Sequence, residues 1–385
     1  MLPMSNFALV LTGGGARAAY QAGVIRALAE MWPDKKPPFN IITGISAGSV
    51  NACLLAHYAD DFKTGGVKLW DLWHDLTVER VITTDALTLS QLGLTLVRDL
   101  VLGGFFKSPA SSHLLDTRPL RKIITDNVDF DRIHHHIESG LLKGFGVTAT
   151  NYHNGCAVTF FDSLLRTEEW GRGNHLSSRG PLNDSHIMAS SAIPIFFPPI
   201  EIGGRYFGDG SVRLLSPLSP SIHLGAERIL AVGIRHTKAP EAYKVVENRA
   251  HMDISFADIG GVFLNAVFLD SLESDLERMH RVNYTLEQVG TERLANVPGA
   301  MRVIPIQAIR PSRDLGSVAA GGIERFPFLL KHLLRGIGAR RKRGNDVLSY
   351  ISFDKSYCGK LLRLGYKDAM RREEELVKFM RDAQN

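Results

Sequence analysis

At 385 residues with 44% hydrophobic content, the chain is long enough for one large α/β domain with additions or for two domains, either with a sizeable core. Three widely spaced cysteines, Cys53, Cys156 and Cys358, argue against a disulfide framework or a cysteine-rich zinc site and fit a reducing compartment. The net charge of +5 is local: residues 325–343, RFPFLLKHLLRGIGARRKR, hold seven Lys or Arg and no acid, and without them the chain is net acidic.

No apolar run reaches the roughly 18 to 20 residues that span a bilayer. The N-terminal residues lack the basic and cleavage-site pattern of a secretory signal, so a cytoplasmic location is expected. From Phe7 to Leu11 an apolar run reads as a buried strand. Three glycines follow, and Ala16 to about Met31 has helical apolar spacing, ended by Pro33, Pro37 and Pro38. FNIITG, 39–44, predicts a second strand, and ISAGSVNACLLAHY is small and apolar enough after Ala47 to be a buried helix.

Residues 86–107 are Leu-rich and glycine-interrupted, a pattern that fits a mobile cover as well as packed helices. A hairpin is expected over 143–162 around Asn154-Gly155, with further strands at 205–208, 229–234 and 302–307. Residues 309–322 mark a boundary before a helical C-terminal portion that includes a helix over about 358–382. Strands alternating with helices predict an α/β fold of three layers with a largely parallel central sheet.

The stretch LVLTGGGARAAYQAG brings a strand, a glycine turn and a helix N-terminus together, which presents unpaired N–H groups to something negative. Read as Gly13-x-Gly15-x-x-Ala18 it satisfies the dinucleotide fingerprint. That reading also needs an acid at the end of the second strand, about 20 residues on, to hold a ribose hydroxyl. The strand ends in Thr43-Gly44 instead, and Asp34 precedes it. What stands there is Gly44-Ile45-Ser46-Ala47-Gly48, a G-x-S-x-G on a strand-to-helix turn, which thrusts a serine out at the sheet's carboxyl edge. The alternative occupant of the glycine turn is therefore the oxyanion formed when a nucleophile attacks an ester.

A serine nucleophile needs a base. His57 lies far down the same helix, His134, His135 and His136 do not share a helix face and read as solvated surface, and His153 belongs to the hairpin turn. Asp209, between glycines in YFGDGSVRLLSP, is the other option, although a glycine-flanked Asp is usually only a turn.

The order of GGG-x-R, G-x-S-x-G and a distant D-G resembles the patatin-like phospholipases, lipid acyl hydrolases, over residues 7–220. ASSAIPIFFPP at 189–199 is also similar to the family's segment ahead of its Asp. The resemblance implies a patatin-like α/β/α catalytic domain over 5–310, a Ser-Asp dyad of Ser46 and Asp209 without histidine, and an oxyanion hole at Gly13, Gly14 and Gly15. It implies no metal and no cofactor. Ala18, Ser211 and Ser216 depart from the family's usual Gly, Gly or Ala, and Asn, all with small residues. Arg17 has two readings, orienting an anionic head group or pairing with an acid. An exposed aspartate, with a pKa of about 3.9, is a weak base toward serine, so burial must help: an acyl chain closing over the dyad would exclude water and raise the carboxylate's basicity, which suits a lipid substrate better than a soluble ester.

The expected substrate is a phospholipid or lysophospholipid ester. Phe326, Leu329, Leu330, Leu333, Leu334 and Ile337 fall at helical spacing beside basic residues, so 322–385 carries a segment, 325–343, suited to an anionic membrane surface or to packing on the core. Without interleaved aromatics it does not suit nucleic acid. The rival reading is a catalytically silent, membrane-surface binding or regulatory protein on the same fold.

Overall fold

The computed structural model describes residues 5–83, 115–164, 167–236, 254–290, 301–319, 322–336, 338 and 345–382. The first fifth is β-α-β-α: β1 (Phe7–Leu11), α1 (Ala19–Met31), β2 (Ile41–Ile45) and α2 (Ala47–His57), followed by α3 (Phe62–His74). The middle holds α4 (Arg118–Asn127), α5 (Phe130–Glu138), the hairpin β3 (Gly144–Asn151) and β4 (Ala157–Ser163), β5 (Gly171–Arg172) and β6 (His175–Arg179). Next come α6 (Asp184–Ser190), β7 (Ile200–Ile202), β8 (Arg205–Asp209) and β9 (Arg228–Val232). Among the described residues the remainder is mainly helical, with one strand: α7 (Phe256–Phe268), α8 (Asp270–Val289), β10 (Ile306–Ile309), α9 (Phe328–Gly336), α10 (Asn345–Ile351), α11 (Lys355–Met370) and α12 (Glu373–Arg381).

The strands form one sheet in the order β10-β9-β1-β2-β3-β4-β6-β5, with β8 paired to β3 and β7 to β8. From β10 to β3 every neighbour is parallel, whereas β3 meets both β4 and β8 antiparallel. The central strands are apolar throughout because both faces are covered. Phe7, Leu9 and Leu11 point into a core shared with α1, α2 and α11, while Ala8 and Val10 face a second core containing Leu272 and Leu276 of α8. This is the three-layer α/β/α arrangement.

The C-terminal helices belong to the same core. Phe379 stacks edge-on against Phe7 at 5.7 Å, and the Tyr20 hydroxyl donates to Asp368 across 3.3 Å between α1 and α11. Two boundaries differ from the sequence pattern. The strand expected at 302–307 lies at Ile306–Ile309, in register with β9, because the parallel ladder fixes which residues pair. The helix expected over about 358–382 breaks at Arg371 and Arg372, where Arg372 turns its guanidinium onto Glu375 and the carbonyl of Ala308. The stretch 86–107 lies outside the described residues.

Candidate active site

β2 delivers Gly44 and Ile45 to the carboxyl edge of the sheet, and the chain turns sharply at Ser46 into α2. Ser46 has φ 54° and ψ −133°, a backbone that a residue with a Cβ rarely adopts and that costs about 1–3 kcal/mol. The flanking glycines make the turn possible by close approach: a methyl on Gly48 would lie 2.3 Å from the carbonyl oxygen of Leu11, and one on Gly44 2.6 Å from that of Gly48.

Serines from the end of α6 hold this strained residue. Ser190 Oγ accepts the Ser46 amide at 3.0 Å and donates to the carbonyl of Thr148 on β3 at 2.7 Å. Ser191 Oγ donates to the Ser46 carbonyl at 3.0 Å, and Ser49 Oγ donates to the same oxygen at 2.6 Å. Both sides of the Ser46 backbone are thus tied to the neighbouring chain.

Asp209 ends β8, which takes up the edge of β3 just beyond the point where β2 leaves it. β2 pairs with β3 at Ile45 and Thr148, and β3 pairs with β8 at Ala149 and Asp209, so the sheet itself brings residues 46 and 209 together. Ser46 Oγ donates to Asp209 Oδ2 at 2.5 Å, and both residues are buried. The other carboxylate oxygen accepts the Ser211 amide at 2.9 Å. The Asp209 main chain is fixed by Thr150 Oγ1, which donates to its carbonyl at 2.7 Å, and by its own amide, which donates to Ala192. Burial pushes the Asp209 carboxyl up to about 7, against the opposing effect of the hydrogen bonds from Ser46 and Ser211. A carboxylate in this state is a far better proton acceptor than a solvated one.

The Gly13–Gly15 turn abuts the elbow. A methyl on Gly13 would lie 2.7 Å from the Ser46 Cβ and 2.5 Å from Ser211 Oγ, so the Gly13 backbone rests directly against the serine. Gly14 and Gly15 have φ of 152° and 55°, values that favour glycine. Gly15 and Ser46 share the wall of an apolar cavity with Val50, Trp73, Ile193 and Phe197. Such a lining fits a hydrocarbon chain beside the serine.

Arg17 points elsewhere. It is 2% exposed and is held by Ser349 Oγ at 2.7 Å, by Asp346 Oδ1 at 2.9 Å and by the Tyr350 ring, whose centroid is 4.2 Å from its guanidinium carbon. All three partners lie on α10, so the guanidinium fastens the glycine turn to the C-terminal helices. The head-group-orienting reading of Arg17 has no exposed guanidinium to support it, and the acid it pairs with comes from 329 residues along the chain.

Among the described residues no histidine hydrogen-bonds to Ser46 or Asp209. His57 Nδ1 accepts the Asp129 amide at 3.2 Å, His134 Nδ1 meets Asp162 at 2.5 Å, His136 Nδ1 meets the Ala56 carbonyl at 3.0 Å, and His153 stacks on Tyr206. Ser190 and Ser191 received no role from the sequence. The signal was the serine pair inside ASSAIPIFFPP, which carries no pattern of its own until α6 places it beside the elbow. In the basic segment, Phe326 and Leu334 are buried, Lys331 and Arg335 of α9 both pair with Glu324, and residues 340–343 lie outside the described ones.

The model of the patatin-like phospholipase family matches residues 9–220, which contain the glycine turn, the elbow and Asp209. The chain belongs to the patatin-like phospholipase family. Lipid hydrolysis is the activity this membership supports, and the mixed α/β fold with its mostly parallel sheet is the family's fold. Comparison with curated proteins finds no match. Among solved structures the chain is similar to VipD from Legionella pneumophila, at 12% identity and a TM-score of 0.36 over 97% of this chain and 67% of that one. It is also similar to the human GIVD cytosolic phospholipase A2 (13% identity, TM-score 0.42) over 99% of this chain, which spans 60% of the human enzyme's length. The type III effector ExoU of Pseudomonas aeruginosa is 15% identical, with a TM-score of 0.29 over 91% of this chain and 77% of that one. Among the described residues no helix is long and apolar enough to cross a membrane.

Proposed function

We propose that this member of the family is a serine acyl hydrolase that cleaves carboxylic esters of phospholipids or lysophospholipids, with Ser46 as nucleophile and Asp209 as its base. The observation that carries the proposal is the 2.5 Å hydrogen bond from Ser46 to a buried carboxylate at the edge of an apolar cavity. Ionised Asp209 takes the proton of Ser46 as its Oγ attacks the ester carbonyl. The oxyanion that develops is met by the backbone amides of Gly13, Gly14 and Gly15, and the Asp209 proton passes to the departing alcohol. Water activated by the same carboxylate then releases the acyl group from Ser46.

The elbow glycines, Gly44 and Gly48, supply the turn on which the nucleophile sits. In this reading 5–310 is the catalytic unit, and 322–385 is a helical portion that completes its core and lies at a membrane surface. An anionic bilayer engaged through 325–343 would make the protein a peripheral membrane enzyme in the cytoplasm.

Hydrolysis of a short-chain chromogenic ester and of a lysophospholipid, with chelator present, tests the reading on wild type, Ser46→Ala and Asp209→Asn. Both variants are expected to lose about 10³-fold or more in kcat while staying folded. Wild-type kcat/KM is expected to rise with pH through about 7 as Asp209 ionises. A fully active Asp209→Asn would place the base elsewhere, and a wild type inert on every ester would leave a silent lipid-binding protein.

A further inference from the structure

α7, FADIGGVFLNAVF, is apolar apart from Asp258 and Asn265, a composition that ordinarily marks a helix covered on most of its surface. Among the described residues, neighbours cover only one of its sides. Ala257, Gly261, Leu264 and Phe268 are buried against α10 and the turn that follows Asp209. Leu264 presents its carbonyl to the Tyr350 hydroxyl at 3.3 Å, and the Phe268 ring packs tilted against that of Tyr350 at 5.3 Å.

The opposite side faces outward and is uniformly apolar. Phe256, Val262 and Phe263 are 81%, 71% and 66% exposed, Ile259 lies between them, and Ile254 extends the surface before the helix begins. The single charged residue of α7, Asp258, is turned back onto the amide and hydroxyl of Ser255 as a helix cap. Contiguous exposed surface of this kind on a folded protein marks an interaction site.

We propose that the outward face of α7 is the surface by which this protein docks onto a phospholipid bilayer, a proposal that rests on the lipid-hydrolase reading of the site. Two observations select lipid as the occupant. The face belongs to a helix that ends at the candidate active site: the ring of Phe268 would lie 3.4 Å from a methyl on Gly13. With a rise of about 1.5 Å per residue and a helix diameter of roughly 10 Å, a bilayer seated on the Phe256–Phe263 face therefore lies roughly 12–20 Å from the glycine turn and Ser46. The face also carries Phe, Ile and Val without an exposed charge, which suits shallow insertion into the acyl boundary rather than attraction to head groups.

At its N-terminal end α7 meets Gly338 of the basic segment, where a methyl would lie 2.4 Å from the Ser255 Cβ. Lys331 and Arg335 of that segment share Glu324 as a partner, so insertion by α7 gives the larger part of the binding and the basic residues the smaller.

The test is flotation with phosphatidylcholine vesicles, with and without phosphatidylserine, at low and high salt. It compares wild type with Phe256→Ser/Val262→Ser/Phe263→Ser, alongside turnover of a monomeric short-chain ester and the oligomeric state in solution. Wild type is expected to bind both vesicle types and to keep binding phosphatidylcholine at high salt. The triple variant is expected to bind at least about tenfold more weakly with its short-chain turnover unchanged. Unchanged vesicle binding by the variant, binding lost entirely at high salt, or a wild type that does not float overturns the proposal. A wild-type dimer that the substitutions dissociate without altering vesicle binding assigns the face to a second copy of the chain and also overturns it. Vesicle binding through α7 by a wild type inert on every ester leaves the docking surface standing and removes the hydrolase reading instead.

Discussion

β1 and β2 are parallel neighbours, and each passes through a glycine turn into a buried helix, yet the two turns handle an unusual backbone in different ways. After β1 the positive φ values fall on Gly14 and Gly15, where no Cβ resists them. After β2 the positive φ falls on Ser46, a residue with a side chain, and the neighbouring glycines serve only to let other backbone come close. The difference follows from what each turn presents. A turn that offers amides can be glycine throughout, whereas a turn that offers a hydroxyl must carry the strain on that residue and hold it there from outside. Ser190, Ser191 and Ser49 are that restraint.

Between the two turns' own backbones, the larger expected effect breaks the first. Gly13→Ala puts a methyl against Ser46 and displaces the amides beside it, and kcat on a short-chain ester should fall by about 10²–10³. A kcat within a few-fold of wild type in a folded protein would remove the Gly13–Gly15 turn from the oxyanion role.

Next is the stability cost of Asp209, the carboxylate paired with the second turn. The folded-state pKa of Asp209 is raised, so its contribution to stability is fully present below the unfolded value and is lost as pH rises through about 7. Asp209→Asn carries no such penalty. It should be more stable than wild type by roughly 2–4 kcal/mol near pH 8, an advantage that shrinks toward pH 4. Parallel denaturant titrations across that range measure this, and a constant difference between the two proteins would contradict the raised pKa.

The smallest effect tests the external restraint. Ser190→Ala leaves the Ser46 amide and the Thr148 carbonyl without this partner, and should lower stability by about 1–2 kcal/mol. It should lower kcat by about tenfold with KM nearly unchanged, and Ser190→Thr should restore most of the loss. A change confined to stability would mark Ser190 as structural alone.

Both turns were legible in the sequence because each is local: an apolar strand, glycines at fixed offsets and a helical pattern within a few residues. The hairpin around Asn154-Gly155 was legible for the same reason, and it appears as β3 and β4. Asp209 could be proposed as partner only through the family pattern, since a D-G after a strand is ordinarily just a turn. Nothing local distinguished Ser190 from other serines. Nor could α7's apolar pattern tell a doubly covered helix from one left open on a side.

The sequence by itself determined the β-α-β-α start, the G-x-S-x-G elbow and the glycine turn, because these rest on backbone preferences of neighbouring residues. Only the tertiary structure decided which groups meet. β2 and β8 pair with successive stretches of the same edge of β3, which joins Ser46 to Asp209 across 163 residues, and α10 returns to take Arg17 away from the cavity. The burial that lifts the Asp209 carboxyl to about 7 belongs to that assembly as well, since desolvation is a property of everything packed around a group and of no single stretch of chain.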